Sequence, residues 1–215
     1  MFRPTLKNKL LAVKPALAAG VLASVAAGVD AGLPKPTYVF IDASNIIYGC
    51  RQSGWRMDFV KLYSYLTKRF AAKRIIYYAG ADQANAKQQE FYNLLRKIGY
   101  ELVVKPVKIY SGRNGEITKK ANVDVDLTFE AMLYFGEYDR AVFFTGDGDF
   151  YRLIAHCKAN KGRVWVFGNA QRTAKELKVL TGHQFGNLDN LRNILSFIKT
   201  KETDTTIVSV SRFME

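Results

Sequence analysis

Cysteine, histidine and acidic residues are all scarce in this sequence. Its two cysteines, Cys50 and Cys157, form no CxxC pair, and its two histidines offer no zinc-site spacing. A disulfide-stapled miniprotein and a Cys/His zinc site are therefore excluded, and the sequence predicts a cytoplasmic protein in a reducing setting. Asp and Glu together number 19 against 32 Lys and Arg, which leaves a formal net charge of +13. That excess favours a polyanionic partner such as nucleic acid or an anionic membrane surface.

A long hydrophobic run is also missing. The apolar stretch from Ala16 to Ala27 covers twelve residues, whereas a membrane-spanning helix takes about 20. Because this stretch follows a basic start, it also has some features of a signal peptide, but Lys14 and Pro15 interrupt its left side. We expect residues 1–37 to be a flexible or weakly helical extension and no membrane anchor, with a targeting segment as the alternative.

The rest of the chain has the composition and periodicity of one globular domain. Of the 215 residues of the whole sequence, 48% are hydrophobic and 24% are charged. From Tyr38 onward, short β-rich runs alternate with amphipathic stretches, a pattern typical of repeated βαβ units. The sequence predicts a three-layer α/β domain over residues 38–199, built around a mostly parallel sheet of five to six strands, followed by a polar tail over 200–215. The predicted strands are Tyr38–Asp42, Arg74–Ala79, Tyr100–Lys105, Arg140–Thr145 and Arg163–Phe167, and the predicted helices are Met57–Phe70, Asn85–Ile98, Asn122–Phe135, Phe150–Asn160, Thr173–Leu180 and Leu188–Phe197.

Several aspartates follow or flank the predicted strands. Asp42 ends the first strand, Asp147 and Asp149 follow the strand that ends at Thr145, and Asp124 and Asp126 open the helix before that strand. Since open α/β sheets place their sites beyond the carboxyl ends of the strands, we expect these groups to converge. Carboxylates this close stay ionised together only beside a hard divalent cation, which predicts Mg²⁺ or Mn²⁺.

Each of these acids also has a purely structural interpretation. Asp124 or Asp126 could simply favour a helix start, Asp147 could be a turn residue, and Asp149 could cap the following helix. Asp42 is harder to explain in this way, because a charge at the end of a buried strand is costly unless it is paired or metal-bound.

Two short motifs are more specific than any single acid. They are the strand end Ile41-Asp42-Ala43-Ser44-Asn45 and the turn Thr145-Gly146-Asp147-Gly148-Asp149-Phe150. Together with Lys120 and Val123-Asp124-Val125-Asp126 between them, they resemble in order and spacing the NYN domain family, in the LabA-like branch of the PIN-like nucleases. The resemblance covers roughly three quarters of the chain, from Tyr38 to Phe197.

The resemblance implies a PIN-like (Rossmann-like) fold and a metal-dependent ribonuclease that hydrolyses single-stranded RNA. Its catalytic acids would be Asp42, Asp124, Asp147 and Asp149, the first three as ligands of Mg²⁺ or Mn²⁺. Family members often carry an acid about one helical turn after the VDV aspartate, so the sequence leaves open whether Asp126 or Glu130 faces the metal. The supporting groups are Asn45, Ser44, Thr145, Asp126 and Glu130.

The segment between Pro106 and Lys120 interrupts the βα alternation. Its turn signal over Ser111–Gly115 predicts a β-hairpin or a mobile loop. Because it is basic and leads into the acidic helix, we expect it to act as a flap that binds the RNA backbone in a salt-dependent manner. The predicted RNA-binding residues are Lys105, Lys108, Arg113, Lys119 and Lys120. The aromatics best placed to stack on bases are Tyr48, Trp55 and Tyr110, each with packing in the core as the alternative. An alternative RNA path would follow Arg51, Arg56 and Arg172.

Three classes of function fit these observations. A metal-dependent endoribonuclease is the preferred one. A non-catalytic RNA- or protein-binding module of the same fold is the second, and a different metal-dependent phosphohydrolase or DNA nuclease is the third. Covalent catalysis is disfavoured, because Cys50 and Cys157 lack a positioned histidine and Ser44 lacks a paired base.

Overall fold

The computed structural model describes residues 35–82, 84–111 and 117–198. Within these ranges the strands are β1 (Thr37–Asp42), β2 (Ala72–Ala81), β3 (Glu101–Pro106), β4 (Lys108–Ser111), β5 (Ile117–Lys120), β6 (Arg140–Phe144), β7 (Arg163–Gly168) and β8 (Phe185–Asn187). Six of them form one sheet in the order β3-β2-β1-β6-β7-β8, and every neighbouring pair in it is parallel. Strands β4 and β5 form a separate antiparallel hairpin.

Helices connect these strands and cover both faces of the sheet. They are α1 (Ala43–Gln52), α2 (Phe59–Phe70), α3 (Ala86–Ile98), α4 (Asp124–Leu133), α5 (Tyr151–Lys161), α6 (Lys175–Thr181) and the short α7 (Arg192–Leu195). Short 3₁₀ turns lie at Gly148–Phe150, Gly182–Gln184 and Leu188–Leu191. No helix within the described ranges has both the length and the apolar character needed to cross a bilayer.

The central strand β1 is buried along its whole length, and its side chains alternate between two cores. Val39 and Ile41 pack with helices α1, α2 and α3 on one face of the sheet. Tyr38 and Phe40 pack with helices α4, α5 and α6 on the other face. A strand with both faces buried is expected to read as a continuous apolar run, which explains why the pattern of β1 was readable from the sequence. The three-layer α/β prediction is therefore confirmed.

The predicted hairpin is present as β4 and β5, although residues 112–116 at its turn lie outside the described residues. Two elements were missed. Helix α1 follows β1 directly, with no turn residues between the two elements, so it was not predicted as a helix. Strand β8 is three residues long, too short to show a period of two. The helix predicted over Leu188–Phe197 is instead a 3₁₀ turn followed by the single turn α7.

The order of the strands creates a switch point between β1 and β6. From β1 the chain adds β2 and then β3 on one side, and it later returns to add β6, β7 and β8 on the other side. In open α/β sheets a crevice forms at such a point, outside the carboxyl ends of the two strands. Ile41 pairs with Phe144 across this junction, so Asp42 and Thr145 both follow it at the carboxyl edge.

One glycine ends its helix in a conformation that excludes a side chain. Gly99, the residue after α3, has φ +119°, and a Cβ added there would lie 2.5 Å from the hydroxyl oxygen of Tyr63. Gly162 ends α5 with φ +68°, and a Cβ there would meet nothing within 4 Å. Gly99→Ala should therefore lower the free energy of unfolding by about 2 kcal/mol or more, and Gly162→Ala by about 1 kcal/mol. Urea unfolding of the two variants measures the difference; equal losses would show that Tyr63 moves aside without cost.

Candidate active site at the carboxyl edge of the sheet

A cavity of about 860 Å³ opens at the switch point. Its walls come from the end of β1 and the exposed face of α1, from the start of α4, and from the turns after β6 and β7. Asp42, Asp124 and Asp147 all line it. Three acids that are far apart in the sequence therefore share one cavity at the edge where the sequence predicted a site.

Asp42 is the most buried of these acids, with a relative exposure of 3%. It caps α1 by accepting a hydrogen bond from the backbone N–H of Asn45 at 3.3 Å, and its Oδ1 also accepts from the Ser44 hydroxyl at 2.9 Å. Its Oδ2 accepts from the Thr145 hydroxyl at 3.2 Å. Burial raises the pKa of Asp42 above its ordinary value of 3.8; these three hydrogen bonds oppose the rise, and the nearby charge of Asp147 adds to it.

The two sequence motifs are joined by hydrogen bonds. The Asn45 side-chain oxygen accepts from the backbone N–H of Gly146 at 2.9 Å, and the Thr145 hydroxyl accepts from the backbone N–H of Asp147 at 3.2 Å. Asp147 in turn caps the 3₁₀ turn that follows, by accepting from the backbone N–H of Asp149 at 3.0 Å. The start of α1 and the turn after β6 are thus one connected polar unit.

The remaining predicted acids lie elsewhere or face outward. Asp149 is exposed, does not line the cavity and does not cap α5, whose N-cap residue is Phe150. Asp126 forms an ion pair with Lys105, which ties α4 to β3. Glu130 accepts a hydrogen bond from the Tyr78 hydroxyl at 2.9 Å, and burial raises its pKa. Neither Asp126 nor Glu130 lines the cavity, and each instead contacts a residue of a neighbouring strand, Lys105 of β3 or Tyr78 of β2.

The donor chemistry of the cavity fits a hard divalent cation. It offers carboxylate oxygens from three aspartates, together with hydroxyl and amide oxygens from Ser44 and Asn45. Burial is the main cause of the raised pKa of Asp42 and the charge of Asp147 is a minor one, and a cation beside the two carboxylates would oppose both. Within the described ranges, however, no three His, Cys, Asp or Glu side chains are close enough to form a ready-made metal site. Mg²⁺ does not need such a cage, because it usually keeps several waters and takes one or two carboxylates.

The structure describes the surroundings of only some of the predicted RNA-binding side chains. Lys105 is paired with Asp126 and also donates to the backbone carbonyl of Asn122 at 3.3 Å. Arg113 lies outside the described residues, and Lys108, Lys119 and Lys120 are placed only by their backbone in the β4–β5 hairpin. Of the alternative path, Arg51 and Arg172 line the cavity, whereas Arg56 does not.

The aromatics that could stack on bases differ in their exposure. Tyr48 lines the cavity and is 54% exposed. Trp55 is 5% exposed, and its indole N–H donates to Asp189 at 3.0 Å, so Trp55 is a core residue, in agreement with the packing alternative. It can pack there because its indole N–H finds an acceptor, as large aromatics with a polar edge require.

Asn169 is a cavity residue that the sequence analysis missed. It follows the last residue of β7, is 7% exposed and lines the cavity. Its side-chain amide donates to the Ser53 hydroxyl at 2.7 Å and to Asp189 at 2.8 Å. The rule used for Asp42, a polar residue directly after an apolar strand, would have found it.

The buried carboxyl of Asp42 should make stability depend on pH in a specific way. Because its pKa in the folded protein is raised above 3.8, the charged form costs folding free energy, and this cost is present at neutral pH and disappears as pH falls towards the unfolded value. As pH rises from about 4 to about 7, the free energy of unfolding of the parent should therefore fall relative to that of Asp42→Asn. Chemical unfolding across this range in chelator measures the shift.

Ile41→Val provides the control for this measurement, since it alters the preceding buried position without a titratable group. Its cost should be the same at every pH. A difference between Asp42→Asn and the parent that stays constant, or that moves against the variant as pH rises, would contradict the burial argument.

Comparison with known proteins shows which proteins this chain resembles. A sequence model of the NYN domain matches residues 36–185. The chain is 28% identical over 180 residues to the "Low amplitude and bright protein LabA" of Synechococcus elongatus, across 82% of this chain and 94% of that protein. A crystal structure of a protein of unknown function from Vibrio parahaemolyticus shares the fold with a TM-score of 0.63 at 24% identity, and covers 80% of this chain and 100% of its own.

These findings agree with the motifs at the cavity. The family match spans β1 to the start of β8, and so includes Asp42, Asp124, Asp147 and Asp149. The PIN-like, three-layer architecture predicted from the resemblance is confirmed by the sheet and by the structural neighbour. More than half of the sequence lies within the matched range, and the chain therefore belongs to the NYN domain family.

Proposed function

We propose that this protein is a metal-dependent ribonuclease that hydrolyses phosphodiester bonds of single-stranded RNA. The observation that carries the proposal is the meeting of Asp42, Asp124 and Asp147 in one cavity at the topological switch point. Membership of a family whose domains are generally nucleases supports it. The net charge of +13 supports a polyanionic substrate.

In this proposal Asp42, Asp124 and Asp147 hold Mg²⁺ or Mn²⁺. When bound, such an ion neutralises charge that builds on the phosphoryl oxygens and lowers the pKa of water. Asn45 and Thr145 orient the site, because their side chains bind Gly146, Asp147 and Asp42. Their contribution is to keep the acids in fixed positions before RNA arrives.

Asp149 has a separate role in the proposal. It is exposed beside Asp147, to which its backbone N–H is hydrogen-bonded. It does not line the cavity, so in this proposal its carboxylate turns towards the RNA when RNA binds, and there it accepts a proton from attacking water or returns one to the leaving oxygen. Asp126 and Glu130 support the site indirectly by holding α4, on which Asp124 lies, against β3 and β2.

The first test removes one carboxylate and leaves its capping contact in place. Asp147→Asn keeps an oxygen that can accept from the N–H of Asp149, so the turn after β6 should still form. RNA cleavage in Mn²⁺ or Mg²⁺ should fall by at least about 100-fold, and products from the parent should carry a 5′-phosphate. Cleavage of labelled RNA and RNA binding are measured side by side, and binding should be nearly unchanged.

Asp58→Asn is the matched control. Asp58 also caps a helix, by accepting from the backbone N–H groups of Val60 and Lys61, but it does not line the cavity. This variant should cleave RNA like the parent. Full activity of Asp147→Asn, or of the parent in excess EDTA, would overturn the mechanism. Thermal unfolding provides a second measurement, because saturating Mn²⁺ should stabilise the parent by about 2.7 kcal/mol at 100 times its Kd, and Asp147→Asn by less.

The second test concerns the basic segment before α4. Replacing Lys108, Arg113 and Lys119 together by Ala should weaken RNA binding and flatten its dependence on salt by roughly 0.7 for each phosphate that is no longer bound. The control triple variant replaces Lys68, Lys73 and Arg163, exposed residues near the amino ends of β2 and β7, at the opposite edge of the sheet. It removes the same charge but should leave the slope unchanged.

Either of two results would count against the basic segment. Equal effects of the two triple variants would show that net charge alone attracts RNA. A parent-like slope in the first variant would place RNA along Arg51 and Arg172, which line the cavity.

Binding of RNA without cleavage is the second candidate function. The observation that favours it is the lack of a ready-made three-carboxylate cluster among the described residues. The two functions separate in one experiment: a non-catalytic module would bind RNA with the same salt dependence in Mn²⁺ and in EDTA and leave it intact in both.

A further inference from the structure

Helix α1 presents one polar and aromatic face to the cavity. Ser44, Tyr48 and Arg51 are spaced at i, i+4 and i+7, are all exposed, and all line the cavity. At 1.5 Å per residue this row extends for about 10 Å from the first turn of the helix, where Asp42 is the cap, towards the opening. This length is enough to contact more than one nucleotide of an extended strand that leads away from the acidic floor of the cavity, formed by Asp42 and Asp147.

Tyr48 stands out on this face. Its side chain is 54% exposed, and the guanidinium carbon of Arg172 lies 4.6 Å from the centre of its ring. Large aromatics of the central sheet, such as Phe40 and Tyr77, are instead buried in the two cores. An exposed aromatic ring that is paired with an arginine inside a polar cavity is a surface on which a planar ligand can stack.

The loop that carries Arg172 is fixed to the end of α1. The backbone N–H of Arg172 donates to the carbonyl oxygen of Asn169 at 3.1 Å. The Asn169 side chain binds Ser53, the C-cap residue of α1. A Cβ added to Gly49 would lie 3.5 Å from the Cβ of Asn169, so helix and loop are in direct contact there. Tyr48 and Arg172 therefore sit on two elements that are held together, and their relative position is set before any ligand binds.

The charge of Arg172 is available for a ligand. Between described residues the ion pairs are Arg74 with Glu101 and Lys105 with Asp126, and neither involves Arg172. A guanidinium that stacks on an aromatic ring keeps its N–H groups at the edge, where they can bind phosphate oxygens. The same side chain can thus complete a stack and contact a phosphate.

We propose that Tyr48 and Arg172 form a nucleobase subsite, in which one unpaired base of the RNA stacks on the Tyr48 ring and Arg172 binds an adjacent phosphate. This inference rests on the proposed function for its ligand, single-stranded RNA. It adds a position to that function: the base lies along α1, outside the acidic floor formed by Asp42 and Asp147. Stacking is tolerant of base identity, so the subsite positions the strand and does not read its sequence.

The test compares protein variants with modified RNA. The probe is a short oligouridylate, together with a series in which one nucleotide at a time lacks its base, and binding is followed by fluorescence anisotropy in EDTA so that RNA is not consumed. Tyr48→Ala should weaken binding of intact RNA by about 5- to 100-fold, as expected for one stacked base. Tyr48→Phe keeps the ring and should bind within about twofold of the parent.

The series of abasic RNAs distinguishes a lost stacking contact from a general loss of stability in the variant. At one position the missing base should weaken binding to the parent as much as Tyr48→Ala does, and it should cost the variant nothing further. Arg172→Ala should lower the salt slope by roughly 0.7. The controls are Phe129→Ala, which removes a ring of 57% exposure that does not line the cavity, and Arg163→Ala at the amino end of β7; both should bind like the parent.

Cleavage in Mn²⁺ separates this subsite from the ribonuclease proposal. If the subsite exists, Tyr48→Ala raises KM with a much smaller change in kcat. If the parent binds and cuts RNA but Tyr48→Ala matches it on every probe, the subsite is overturned and the ribonuclease stands. If the abasic pattern appears but no RNA is cut, the subsite stands and catalysis fails. A parent that does not bind RNA overturns both.

Discussion

The parallel pairing of β1 with β2 on one side and β6 on the other is the constraint on which the rest of the structure depends. It buries β1 on both faces, which requires an apolar strand, and it creates the switch point at which a crevice opens. It also aligns Ile41 with Phe144, so that the polar residues after these two strands meet. The connecting helices then leave the sheet on opposite faces, and the cavity lies between α1 on one face and the start of α4 on the other.

Asp42 combines a structural and a chemical role in one carboxylate. As the cap of α1 and the acceptor of the Thr145 hydroxyl, it joins the first helix to the turn after β6. Its burial also makes the charged form costly, which is why its pKa is raised. A purely structural cap at this position would be cheaper as asparagine or serine, since either can accept the N–H of Asn45 without a buried charge. In the proposed function, a bound divalent cation would neutralise this charge.

The cavity separates charge of opposite sign. Acidic groups form its floor at Asp42, Asp124 and Asp147, while Arg51 and Arg172 lie on the wall formed by α1 and the β7 loop. An anionic chain would be attracted by the wall and repelled by the floor until a cation binds there. The pairing of Lys105 with Asp126 shows that the segment before α4 is less basic than its sequence suggests, because one of its charges is already neutralised.

Much of the fold was determined by the sequence alone. The apolar strands, the βα alternation and the positions of Asp42 and Asp147 follow from local patterns, since burial on both faces and the carboxyl-edge rule act on short segments. Helix α1 and strand β8 were not predicted in this way, because α1 begins directly after β1 with no break between the two elements, and β8 is too short for a periodic signal. Only the tertiary structure decided which acids share the cavity. Asp126 and Glu130 lie within two turns of Asp124, yet they turn to Lys105 and Tyr78, and Trp55 turns to Asp189. These contacts are made with residues that are distant in the sequence, so a local sequence pattern cannot predict them.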